Sequence, residues 1–170
     1  GGHNAYYGNE MYVFDVDDMK WTRLTNPSTN INVIGGGVDP YPDGQPSSRH
    51  TYNQVAYIAH ADRFFAFGGA IAAQSGGTCG SNKTWAFNFT NNTWQNMQPP
   101  SPVPPPAGEG AAAYDPASGK VYWNEDHICG GTNLWGVWSY DINTNRWTQI
   151  DPDNGYSYST PTSKQTAVVR

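Results

Sequence analysis

Aromatic residues alternate with small or polar ones along three short stretches: Met11-Tyr12-Val13-Phe14-Asp15, Thr84-Trp85-Ala86-Phe87-Asn88 and Val137-Trp138-Ser139-Tyr140-Asp141. A period of two puts Tyr12/Phe14, Trp85/Phe87 and Trp138/Tyr140 each on one face of a strand. Polar turns follow at 16–20, 89–93 and 142–146. A Trp then opens each second stretch: Trp21-Thr22-Arg23-Leu24, Trp94-Gln95-Asn96-Met97 and Trp147-Thr148-Gln149-Ile150. Six positions separate the Asp or Asn from the Trp every time (15 to 21, 88 to 94, 141 to 147). The spacing predicts three alike β-hairpins at 11–24, 84–97 and 137–150, with Trp21, Trp94 and Trp147 equivalent.

Another hairpin precedes the second and the third. One runs through 50–57, a turn at 58–62, then Arg63-Phe64-Phe65-Ala66-Phe67-Gly68-Gly69. The other runs through Gly110-Ala111-Ala112-Ala113-Tyr114, a turn at 115–119, then Lys120-Val121-Tyr122-Trp123. Small residues in these leading strands suit a crowded centre. Gly-Gly at a strand end removes side chains where the chain bends away. Four short antiparallel strands per unit is the pattern of a propeller blade.

The order Arg49-His50, aromatic strand, Gly68-Gly69, Trp85-Ala86-Phe87-Asn88, Trp94 resembles a kelch repeat. So does Gly1-Gly2, Val13-Phe14-Asp15, Trp21. The resemblance extends over nearly the whole chain. It implies an all-β, kelch-type β-propeller, akin to the central domain of galactose-oxidase-like proteins. The third unit departs from the pattern, because Asn124 to Cys129 intervene before Gly130-Gly131. On this reading the chain holds about three blades of four antiparallel strands. Residues 1–24 end one blade, 49–97 form the second, 107–150 the third, and 164–170 give the first strand of a further blade. Propellers close with about 16 strands or more. The expectation is therefore part of a larger propeller, closed by the remainder of a longer chain or by other subunits.

Composition supports the all-β reading. The 170 residues include 24 aromatics, 19 Gly and 13 Pro but only two Leu, three Glu and four Lys. Helix formers are too scarce for a helical bundle. The net charge is −5 and no basic run occurs, which argues against nucleic acid and anionic membranes. No apolar stretch approaches the roughly 18 residues of a membrane helix, so membrane insertion is not expected. No charged n-region followed by an apolar h-region is visible at the start, which leaves the compartment open because a secreted protein loses that segment.

Turns within hairpins are short, whereas 25–48, 70–83, 98–108, 125–134 and 151–163 are long. Hairpin geometry sends all the long connections to one end, where binding usually resides. His3, Tyr6, Tyr7, Tyr41, Arg49, His50 and His127 fall at or near that end. Arg49 and His50 would supply hydrogen bonds there, and Tyr6, Tyr7 and Tyr41 would stack on sugar rings. The alternative for Arg49 is to satisfy loop carbonyls between blades. His3 and His127 flank Gly-Gly pairs but lack the spacing of a zinc site. Asn124-Glu125-Asp126-His127-Ile128-Cys129 reads as a solvated loop. Asp151-Pro152-Asp153-Asn154-Gly155 opens like a calcium loop but lacks its later Glu.

Three glycosylation sequons begin at Asn82, Asn88 and Asn91. Asn91, at a turn tip, is the best acceptor, Asn82 the next, and Asn88 the least suitable. Cys79 and Cys129 occupy corresponding connections of consecutive blades, which suggests a disulfide. Both features point to a secreted, extracellular protein.

Two functions compete. One is a binding or structural module with a glycan, matrix or protein partner. The other is a fragment of a copper-radical carbohydrate oxidase, suggested by the galactose-oxidase resemblance. That chemistry needs a Tyr, a Tyr joined to a Cys thioether and two His at one copper. The two Cys and four His here do not map onto such a site. Gly-x-Ser-x-Gly, His-Glu-x-x-His and phosphate-cradling loops are also missing. The balance leans away from an enzyme. No catalytic or metal residue is assigned and no cofactor is expected, copper entering only with the oxidase.

Overall fold

The computed structural model describes residues 6–29, 38–71, 80–128 and 136–151, the side chains of 125–128 excepted. Twelve strands occur among them: β1 (Tyr12–Asp15), β2 (Lys20–Arg23), β3 (Arg49–His50), β4 (Val55–Ile58), β5 (Arg63–Phe67), β6 (Ala70–Ile71), β7 (Thr84–Asn88), β8 (Thr93–Asn96), β9 (Ala107–Asp115), β10 (Lys120–Ile128), β11 (Val137–Asp141) and β12 (Arg146–Asp151). One 3-10 turn, Ala59–Ala61, joins β4 to β5. Strands β4-β5-β7-β8 form one antiparallel sheet and β9-β10-β11-β12 another. These are two complete blades. The β1–β2 hairpin stands as the outer pair of a third, and β3 with β6 forms a small separate ribbon.

The three expected hairpins form in the same register. Phe14 pairs with Trp21, Phe87 with Trp94 and Tyr140 with Trp147. Their ring centroids lie 5.0, 5.2 and 5.1 Å apart. The turn chemistry explains the fixed spacing. Asp15 Oδ1 accepts hydrogen bonds from the N–H groups of Asp17 and Asp18, and Asp141 Oδ1 from those of Asn143 and Thr144. Asn88 Oδ1 accepts from Thr90 N–H. An Asp or Asn at the strand end thus starts each turn. A left-handed residue two places before the Trp ends it: Met19, Asn92 and Asn145 have φ of 51°, 54° and 52°.

Two boundaries differ from the sequence expectation. The leading strand expected at 50–57 is broken, because Tyr52 takes a φ of 45° and only β4 joins the blade. Residues 49–50 pair instead with 70–71. Gly68 and Gly69, with φ of 60° and 87°, reverse the chain after β5 so that this return is possible. A Cβ on Gly69 would lie 2.6 Å from His50 O, and one on Gly68 2.9 Å from Ala107 O. The second difference is in β10. Residues 125–128, expected as loop, continue the strand opposite β9 through register shifts beside His127. The strand expected at 164–170 lies outside the described residues.

The core is the seam between the two complete blades. Phe65 and Phe67 of β5 meet Tyr140, Trp123 and Trp147 of the next blade, at centroid distances of 4.8 to 6.0 Å. Each such buried aromatic stabilises the fold by about 1.5–3 kcal/mol. Polar atoms in the seam are paired. Trp147 Nε1 donates to Thr84 Oγ1 at 2.9 Å and Trp123 Nε1 to Gln54 Oε1 at 3.0 Å, while Gln54 Nε2 donates to Gly108 O at 3.2 Å. On the inner side, Ala112 N–H donates to Asn53 O at 2.7 Å, a backbone approach that the small residues of β9 allow.

Tyr140 is fully buried in this seam and donates to Asn145 Oδ1 at 2.8 Å. Burial, and secondarily the Asp141 charge, raises its phenol well above the ordinary value. As pH rises the unfolded chain releases this proton first, so stability is full below about pH 10 and falls above it. Tyr140→Phe is expected to flatten the alkaline limb of a plot of melting temperature against pH. Equal alkaline slopes in the two proteins would count against this origin.

Candidate functional site

The antiparallel order puts the turns at 16–19, 59–62, 89–92, 116–119 and 142–145 at one end of the blades. The connections between hairpins emerge at the other, as expected. There, residues 38–48 fold against β3 and β6 around one carboxylate. Asp39 Oδ1 accepts from Arg49 Nη2 at 2.6 Å and from Ser47 N–H at 3.2 Å. Its Oδ2 accepts from Ser81 Oγ at 2.7 Å. Arg49 donates further to Ser47 O at 3.1 Å and to Gly68 O at 2.9 Å. Both side chains are about nineteen-twentieths buried. Burial lowers the pKa of the guanidinium, and the Asp39 charge opposes that shift.

Tyr41 is buried beside this pair. Its hydroxyl donates to Tyr7 O at 3.0 Å and accepts from Ser48 N–H at 3.3 Å. Burial also raises its phenol pKa. Asn9 continues the network, donating to Ser28 Oγ and Pro46 O and accepting from Ser28 N–H. Three of the expected face residues, Tyr7, Tyr41 and Arg49, are thus brought together in the interior. Arg49 makes carbonyl contacts of the kind its alternative role requires. Tyr6 lies outside the network, exposed, donating to Glu10 Oε1 at 2.7 Å. His50 packs edge-on against Tyr52, with centroids 5.6 Å apart. His3, the His127 side chain, Cys79 and Cys129 lie outside the described residues.

A groove of about 510 Å³ opens at the same end, between residues 82–84 and 96–103. Its walls include Pro40, Asn82, Lys83, Asn96, Gln98 and Pro99. Asn96 Oδ1 is buried there without a partner. Three amides, one ammonium and two prolines give it donors and acceptors on stiff walls.

Sequence reasoning missed Asp39, Ser81, Gln54 and two of the groove amides, Asn96 and Gln98. Asp39 was obscured by its Pro- and Gly-rich surroundings. The need of a buried Arg49 for a carboxylate was the one available signal. Among the described residues, no three His, Cys, Asp or Glu side chains gather to hold a metal ion. No helix there is long and apolar enough to cross a membrane. Of the sequon asparagines, Asn82 and Asn91 are exposed, while Asn88 is half-buried with its Oδ1 committed to the turn.

Among curated proteins, no relative matches the chain. The family model of the KLHDC2/KLHL20/DRC7 Kelch-repeats domain matches residues 1–170. That match covers the length over which the aromatic hairpins recur in one register, and the chain belongs to the kelch-repeat family, building part of a kelch β-propeller.

Proposed function

We propose that the protein is a kelch binding module that takes a polypeptide partner at its long-connection end. The observation that carries this reading is the asymmetry between the two ends. One offers small polar turn tips. The other holds the groove lined by Pro40, Lys83, Asn96 and Gln98. Side-chain amides both donate and accept, which suits the alternating groups of a peptide backbone. A rigid wall limits the ordering cost of binding.

The test is a photoreactive amino acid placed at Lys83 or Gln98 in one set of proteins and at Ala117 or Asn143 in another. Crosslinked peptide is expected from the first set, at about tenfold or more over the second. Equal yields at both ends, or glycan alone at the groove, would contradict the reading.

The proposal includes secretion, supported by the clustered sequons and the two cysteines. Glycan is expected at Asn91 first, on an exposed turn tip away from the groove. Asn82 lines the groove, so a glycan there would compete with the partner. Intact mass before and after glycan removal checks this: an unchanged mass in protein from a secreting cell would sink it.

A further inference from the structure

Tyr52 is held at a φ of 45° and is 45% exposed. A left-handed backbone is costly for a bulky side chain and is ordinarily given to Gly. The same fold uses Gly for that purpose at Gly68 and Gly69. With nearly half its surface in water, the Tyr52 ring buries too little apolar area to offset the cost. Strain kept without a return in packing marks a binding position.

The surroundings of Tyr52 define what it binds. β4 and β9 are the inner edges of the two complete blades. Residues 51–53 lead into β4 along the edge of β9: Ala112 N–H donates to Asn53 O, and Asn53 forms a parallel bridge with Ala111. That run brings Tyr52 to Glu109, near the start of β9 and so at the long-connection end. Gly110 faces the seam, since a Cβ there would stand 2.9 Å from both Gln54 Oε1 and Trp123 Nε1. Alternation turns the Glu109 side chain the other way, out of the seam.

The Tyr52 hydroxyl donates to the Glu109 carboxylate. Burial, and then the Glu109 charge, raises the phenol pKa. His50 Nδ1 lies 3.4 Å from the same hydroxyl, and the two rings stand at 81°. With the phenol proton committed to Glu109, Nδ1 is the donor in that contact. One hydrogen bond leaves the carboxylate most of its acceptor sites. No Lys or Arg among the described residues pairs with it. An exposed aromatic ring beside a carboxylate without a countercharge suits an organic cation. The net charge of −5 adds a favourable field.

We propose that Tyr52 and Glu109, positioned by His50, form a recognition site for an organic cation, the guanidinium or ammonium of an Arg or Lys side chain. That the cation belongs to a polypeptide rests on the function proposed above; the site itself does not. The groove adjoins β7 and β8, the outer strands of their blade, whereas this site lies on the inner edge, so the two are tested separately.

The experiment titrates the protein with N-acetylarginine amide and follows the backbone amides by NMR. The citrulline analogue, alike in shape but uncharged, is the control. Arginine amide is expected to bind with a Kd on the order of 1–10 mM, and citrulline amide at least about tenfold more weakly. The shifts are expected to centre on residues 50–53 and 108–110. Glu109→Gln is expected to erase the preference for arginine. Tyr52→Gly is expected to weaken arginine binding by about fivefold or more without lowering the melting temperature, because Gly accepts this backbone. Citrulline bound as tightly as arginine, a preference that survives Glu109→Gln, or no shift at about 100 mM ligand would overturn the proposal. A fall in melting temperature in Tyr52→Gly would make the ring a structural group and would overturn it as well. None of these outcomes changes the crosslinking expected at the groove, so failure here leaves the polypeptide reading standing.

Discussion

Alanine at Arg49 is expected to destabilise the protein by about 3–5 kcal/mol. For a chain of this size that is a fall of roughly 6–20 °C in melting temperature. The cause is the carboxylate left behind. Asp39 is buried and would lose its only ion-pair partner among the described residues, while Ser47 O and Gly68 O would each lose a donor. A lone buried charge costs far more than a surface ion pair is worth. Removing both charges together, as Arg49→Met with Asp39→Leu, is expected to recover a good part of the loss. Denaturant unfolding of the two single variants and the double variant measures this. A single variant that unfolds like the parent would free Arg49 for the ligand contact that the sequence alone suggests.

The second large effect separates residues that the repeat makes equivalent. Trp147→Ala is expected to cost about 3–5 kcal/mol, because the indole is packed against Phe65, Phe67 and Tyr140. Trp147 is 3% exposed, whereas Trp21 is 65% exposed. Trp21→Ala is therefore expected to cost no more than about 0.5 kcal/mol. Trp94, half-buried, falls between them. Trp147→Phe keeps most of the apolar contact but loses the bond to Thr84, for about 1 kcal/mol from that bond. Equal losses at Trp21 and Trp147 would mean that burial does not set the energies.

The hairpins were legible because their information is local. An Asp or Asn that starts the turn and an aromatic pair across it are both visible in a dozen residues. The Gly68-Gly69 bend was legible for the same reason. What escaped was set at a distance. The break of the leading strand at Tyr52 depends on β6 returning along 49–50, twenty residues away. The extension of β10 to Ile128 depends on β9 offering a partner as far back as Ala107. At the candidate site, sequence placed Tyr7, Tyr41 and Arg49 at the right end of the blades but gave no measure of their depth. Burial there follows from the fold of 38–48, whose Asp39 reaches Arg49 and Ser81 together. The different environments of Trp21, Trp94 and Trp147 were equally hidden, since one motif carries all three.

The central claim is that stability resides at the seam between the two complete blades, whereas among the described residues β1 and β2 pair only with each other. Native-state amide hydrogen exchange reads this strand by strand. The slowest amides are expected in β5, β7, β10 and β11, exchanging only with global unfolding, while those of β1 and β2 exchange by local opening at least about a hundredfold faster. Amides of β1 and β2 as slow as those of β7 and β11 would contradict the account.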